Sequence, residues 1–171
     1  MTMILTRLYD TYATANKVMY DLEAAGIPAS EISIVASNAD NWYSASNPHD
    51  RDRDGVDDRA QGAATGATIG AATGGVAGLL AGLGLQAIPG LGPVVAAGWL
   101  VSTATVAAAG GVTGGIVGAL TEAGVSEKDA EVYAEGVRRG GTLLTVRIPD
   151  GDRARIEPIL DRPAVKFGSA A

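Results

Sequence analysis

The sequence predicts an α+β protein: a ferredoxin-like β-α-β-β-α-β sandwich with a long glycine-zipper helical hairpin inserted between its two β-α-β halves. Three observations predict it. Residues 3–36 run from an apolar strand pattern through a helical pattern to a second strand pattern. Residues 142–167 repeat that order in a shorter form. Between them, residues 60–121 contain no Asp, Glu, Lys, Arg or His and are built mostly from Gly and Ala. The organisation that follows is one domain made of residues 1–37 and 141–168, an acidic polar loop at 38–59, the hairpin at 60–121 and a connecting helix at 122–140.

The first half is read from spacing. Ile4, Leu5 and Leu8 make a strand of residues 3–9. Asp10 or Thr11 then caps a helix reaching about Ala25, with Ala15, Val18, Met19 and Leu22 at helical intervals. Gly26 stops the helix and Pro28 follows it. Ile32, Ile34 and Val35 mark a second strand at 32–36. Beyond the middle of the chain, Ser126 and the acidic turn Glu127-Lys128-Asp129 start a helix that Arg138-Arg139-Gly140-Gly141 closes. Leu143, Leu144, Val146 and Ile148 define a strand at 142–148, residues 153–160 a short helix, and residues 164–167 a last strand.

The hairpin rests on glycine spacing. Gly62, Gly66, Gly70, Gly74, Gly78 and Gly82 fall four apart, and Gly110, Gly114 and Gly118 repeat the interval. Residues four apart stack along one face of a helix. Such a row leaves a groove without side chains, into which a neighbouring backbone packs closely. Glycine costs about 1 kcal/mol relative to alanine in a helix interior, so the row makes sense only where close packing offsets that cost. Two helices are expected, 60–87 and 93–121, joined at Ile88-Pro89-Gly90-Leu91-Gly92-Pro93, with Pro93 at a first helical position. Each is long enough to cross a hydrocarbon core of about 30 Å. The glycine row is then an oligomerisation surface, either in a transmembrane hairpin or in a soluble bundle. A flexible linker is the third reading, and the regular register argues against it. Trp99 suits either a core or a membrane interface.

The loop before the hairpin holds a candidate metal site. Asp50, Asp52, Asp54 and Asp58 stand at positions 1, 3, 5 and 9 of an EF-hand-like calcium loop, with Gly55 at position 6. Gln61 replaces the bidentate Glu at position 12, and Arg51, Arg53 and Arg59 compete for the carboxylates. The other reading is a solvated mixed-charge linker that caps the following helix.

Composition removes several classes. The net charge is −6 and the sequence pI about 4.7, which does not suit a nucleic-acid binder. The chain has no cysteine, hence no thiol nucleophile, thiolate metal site or disulfide. Its single histidine, His49, lies in a polar loop with no nucleophile or ligand nearby in sequence. No Gly-Lys-Ser/Thr accompanies the glycines, so a phosphate loop is not supported. Tyr12 and Tyr133 read as core edges, and Arg138-Arg139 as a helix end that could also meet anionic head groups. Residues 1–7 lack the pattern of a secretory signal, so the termini are expected on the side of synthesis.

Two runs resemble a known family. Ala81-Gly82-Leu83-Gly84-Leu85-Gln86-Ala87-Ile88-Pro89-Gly90-Leu91-Gly92-Pro93-Val94-Val95-Ala96-Ala97-Gly98 is similar to bacterial general stress or low-temperature-induced proteins. So is Asp129-Ala130-Glu131-Val132-Tyr133-Ala134-Glu135-Gly136-Val137-Arg138-Arg139-Gly140-Gly141-Thr142-Leu143. The resemblance implies a stress-linked bacterial protein with no catalytic residues to carry over. The expectation is therefore a non-enzymatic protein without a cofactor, calcium aside. Its partners are further copies of itself and membrane lipid, with no nucleic acid. It would sit in the inner membrane with cytoplasmic termini, or, in the soluble reading, in the cytoplasm as a homo-oligomeric scaffold or small-ligand module.

Overall fold

The computed structural model describes residues 2–40, 42, 74–77, 84–88, 92–100 and 115–163. In chain order the main elements are β1 (Thr2–Tyr9), α1 (Tyr12–Ala24), β2 (Ile32–Ser37), β3 (Gly84–Ile88), β4 (Gly92–Gly98), α2 (Gly115–Glu122), α3 (Glu127–Arg138), β5 (Thr142–Pro149) and α4 (Arg153–Asp161). The strands form one antiparallel sheet in the order β1-β5-β2-β4-β3. The fold is α+β.

The terminal elements form for the reasons read in the sequence. Thr11 accepts a hydrogen bond from the Thr14 amide at 3.2 Å and caps α1. Ser126 accepts from the Asp129 amide at 3.2 Å and caps α3, and Asp129 accepts the Ser126 hydroxyl in return at 2.6 Å. Glu127 and Asp129 sit in the first turn of α3 and Arg138 in its last, as the helix dipole favours. The hydrophobic alternation of β1 puts Leu5 and Tyr9 on one face of the sheet and Leu8 on the other.

Both faces of the sheet are covered. On one, α1 and α4 bury Val18, Met19, Leu22, Ile156 and Leu160 against Leu5, Ile34, Leu144 and Val146. On the other, α2 and α3 bury Ile116, Leu120, Ala134 and Val137 against Leu8, Val35, Val94 and Leu143. The expected sandwich with helices on one face is thereby corrected. Val35, Val94, Ala96 and Leu143 are all buried on the second face, and a sheet apolar on both faces needs a layer on each. The connecting helix expected at 122–140 supplies part of that layer.

The larger correction lies in the middle. Residues 84–87 and 93–98 were expected in two helices; they belong instead to the strands 84–88 and 92–98, paired from Gly84↔Ala96 to Ile88↔Gly92. β4 pairs in turn with β2, from Ser33↔Gly98 to Ser37↔Val94. The segments on either side of residues 89–91 therefore form an antiparallel strand pair, not two antiparallel helices. Sequence chemistry accounts for this. Residues that precede proline, here Ile88 and Gly92, disfavour the α region. The four-residue glycine interval also breaks at Gln86. Val94-Val95-Ala96-Ala97 is a continuous apolar run because β4 is buried on both faces, and periodicity does not separate such a run from a helix.

Gly98 locks this arrangement. Its φ is +101°, and a Cβ there would lie 2.5 Å from the Ile32 carbonyl oxygen and 2.7 Å from Ser33 Cα. Beside it, Ser33 donates its hydroxyl to the Ala97 carbonyl at 2.9 Å. Gly136 makes a comparable approach between layers, since its Cβ would meet Leu8 Cδ2 at 2.3 Å. Of the remaining expectations, the strand at 164–167 and most of the residues of 60–83 and 101–114 lie outside the described residues.

Gly98→Ala gives opposite signs for the two readings of this segment. In a helix it would stabilise; in the strand pairing observed it combines a strained φ with a backbone clash. The expected result is a loss of more than about 2 kcal/mol in urea unfolding.

Candidate functional site

The predicted site residues separate widely. Gly74 opens a single helical turn at 74–77 and is exposed, with no atom within 4 Å of where its Cβ would stand. Gly118 is partly buried within α2. Val76, two residues after Gly74, is in the core on the α1 face, whereas α2 packs on the opposite face. At the described positions the two glycine rows thus lie on opposite sides of the sheet and do not zip against each other. Gly62, Gly66, Gly70, Gly78, Gly82, Gly110 and Gly114 lie outside the described residues, as do His49, Asp50, Asp52, Asp54 and Asp58. Among the described residues no three His, Asp or Glu side chains converge on a metal position. No helix among them is long and apolar enough to cross a membrane.

One polar node was not foreseen. Arg7 lies on β1 on the same face as the buried Leu5 and Tyr9, and it reaches toward α4. Its Nε donates to Asp161 at 2.5 Å and its Nη2 to Glu157 at 3.2 Å. Its Nη1 donates to the carbonyl of Thr6 at 2.9 Å, and the Tyr133 hydroxyl, from the other face, donates to the same carbonyl at 3.0 Å. Tyr9 donates to the Leu160 carbonyl at 2.9 Å. Burial pushes both tyrosine hydroxyls up from their ordinary range, Tyr9 far above it. The Arg153 hydrogen bond, helped by the charges of Arg153 and Arg7, draws the Glu157 carboxyl down. Burial alone would lower the Arg7 guanidinium, but its bond and charge interaction with Asp161 outweigh that and raise it. Every shift moves away from neutrality, which suits a clamp and not proton transfer near pH 7. The available signal was an Arg at a buried-face position of an apolar strand, which demands a carboxylate partner.

A second node joins β5 to the residue just before β2 and the residue just after β4. Arg147 donates to Glu31 at 2.8 Å and stands 4.5 Å above the ring of Trp99. Trp99 donates its indole N–H to the Glu31 carbonyl at 3.2 Å. Trp99 is thus half-buried against its own domain. A third feature runs along α1. Tyr12 packs on Trp42 with ring centroids 5.0 Å apart, and Glu23, eleven residues on, accepts the Val76 amide at 3.2 Å. Residues 42 and 76 are therefore both held on one helix. Finally, Lys128, Glu131, Val132, Glu135, Gly136 and Arg139 line an open depression of about 380 Å³ along α3. Glu135 there is engaged by Arg139 at 2.8 Å and by Arg138 at 2.5 Å, so its carboxyl is drawn down chiefly by the Arg139 bond.

Compared with known protein families, curated proteins and solved structures, the chain matches none.

Two outcomes follow from this geometry. Glu157 and Glu135 have lowered folded-state values, so their contribution is present above the ordinary carboxylate pKa of 4.5 and is lost as pH falls below it. The urea midpoint should hold from about pH 6 to about pH 5 and fall toward about pH 3, with a shallower fall in Glu157→Gln. Glu23→Ala removes a charged acceptor worth about 1.5 kcal/mol or more, so amide exchange at Val76 should quicken roughly tenfold while that of Leu22 is unchanged.

Proposed function

We propose that this is a non-enzymatic, stress-associated bacterial protein that self-assembles through the glycine-rich stretches flanking its β3–β4 hairpin. The observation that carries the reading is the charge-free segment 60–121, with glycine at every fourth position from Gly62 to Gly82 and again from Gly110 to Gly118. Glycine in such number is unfavourable in an isolated helix and calls for a packing partner. The stress association rests on the resemblance of residues 81–98 and 129–143 to the general stress family.

Of the two settings, the geometry favours a soluble homo-oligomeric scaffold. A membrane hairpin needs its turn at the far side of the bilayer, whereas residues 84–88 and 92–98 on either side of that turn belong to the sheet of the domain. Insertion of the remaining glycine-rich segments into a membrane is the second reading. The domain itself we read as ferredoxin-like: β5 lies between β1 and β2 as the third strand of that fold does, and residues 164–167 would supply the fourth strand beside β1.

The test is the pair Gly70→Leu and Gly74→Leu. A Cβ at 74 would have no described atom within 4 Å, so the fold, followed by circular dichroism, should persist in Gly74→Leu while the assembly disperses in analytical ultracentrifugation. An unchanged assembly size overturns the proposal. Retention in membranes after a carbonate wash selects the membrane setting over the scaffold.

A further inference from the structure

Glu23 and Gly75 together clasp the helical turn at residues 74–77. Glu23, in the last turn of α1, accepts the Val76 amide at 3.2 Å. Val76 itself is fully buried, in the same cluster as Leu22 and Ala97. Beside it, Gly75 has a φ of +60°. A Cβ on Gly75 would overlap Glu23 Oε1, so the carboxylate fills the space that a side chain would take. Glycine is thus needed at 75 both for its left-handed φ and for the room it leaves.

The same glycine falls within the four-residue glycine row. Gly75 follows Gly74 directly, between Gly62 and Gly82. Residues four apart share a face on a right-handed helix, and the residues of such a helix have negative φ. With Gly75 at +60°, a right-handed helix does not continue through this point. The clasped shape and an unbroken glycine row therefore exclude each other. Opening the clasp has a cost, since Val76 leaves the core and its amide loses a charged acceptor. In exchange, Gly75 is free to take a helical φ and the row becomes continuous.

We propose that the Glu23–Gly75 contact is an autoinhibitory clasp. Closed, it interrupts the glycine row and holds the chain unassembled. Open, it releases the row to a second copy of the chain. The inference rests on the self-assembly proposed above and adds the control of that assembly. Copies join only from the open form, so the rarity of that form raises the concentration at which they assemble. In the assembly, close backbone packing along the partner's row offsets the loss of the Val76 seat. The two forms differ in one backbone angle and one hydrogen bond, which gives the element two discrete states.

The test uses substitutions of Glu23 in the full chain, none of which touches the row. Glu23→Ala removes the acceptor. Glu23→Asp keeps the charge but falls a methylene short of the Val76 amide. Both should lower the concentration of assembly in analytical ultracentrifugation roughly tenfold, the gain in open form from one lost charged bond. Glu23→Gln keeps the length and an accepting oxygen, so it should stay within about threefold of the wild type. Loss of negative charge would instead group Gln with Ala and leave Asp unchanged. That order, or assembly of both Ala and Asp variants at the wild-type concentration, overturns the clasp. If Glu23→Ala loses the fold by circular dichroism, Glu23→Asp against Glu23→Gln decides. Dispersal by the glycine variants with no effect at Glu23 removes the clasp and leaves the assembly proposal standing. Single chains at every concentration, in wild type and all variants, overturn the assembly proposal and the clasp with it.

Discussion

Burial of the sheet on both faces is the constraint on which the rest of the structure depends. β5 sits between β1 and β2, and its side chains feed two cores: Leu143 on one face, Leu144, Val146 and Ile148 on the other. Removing a strand so placed from water is favourable only when each face receives its own helical layer. α1 and α4 provide one, α2 and α3 the other. The β3–β4 hairpin then widens the sheet, and the Gly98 contact with Ile32 and Ser33 brings β4 close enough to share both cores. The polar nodes work at the margins of this arrangement. Arg7 ties an edge strand to α4, Tyr133 ties it to α3, and Arg147 with Glu31 and Trp99 joins β5 to residues flanking β2 and β4 at the other end.

The terminal elements were legible because each carries its own local signals. Thr11 and Ser126 cap their helices where the sequence puts a short hydroxyl before an apolar period, and the strands at 2–9, 32–37 and 142–149 each carry apolar residues in a run too short for a helix. The middle misled because two patterns overlap there. Glycine at every fourth residue continues almost to Gly84, and the run 94–97 is apolar without alternation. Strand identity in that run is decided by its partners, Ile34 to Ser37 on β2, about sixty positions back in the chain. Local pattern holds no record of such a partner, whereas the prolines at 89 and 93 were a usable warning.

The polar sites were legible to a smaller degree. Tyr133 was read as a core edge, and it is half-buried as expected, yet its hydroxyl has a specific acceptor on β1 that spacing does not reveal. Arg7 was passed over because a single cation in a strand reads as an exposed residue. Its partners Glu157 and Asp161 lie at the far end of the chain and come together with it only through the fold. The glycines carry a legible cost but not a legible partner, since a residue without a side chain leaves no complementary mark on what it touches.

The two contacts along α1 have a consequence for how the chain can vary. Trp42 rests on Tyr12 at the start of the helix, and Val76 is held by Glu23 near its end. Eleven residues of helix separate these points by about 16 Å. Whatever lies between residues 42 and 76 begins and finishes on the same rigid rod. Lengthening or shortening it changes a closure entropy that grows by only about 0.6 kcal/mol per doubling. Both ends of the stretch are thus referred to α1, and its length enters the stability of the fold only weakly, as a logarithm.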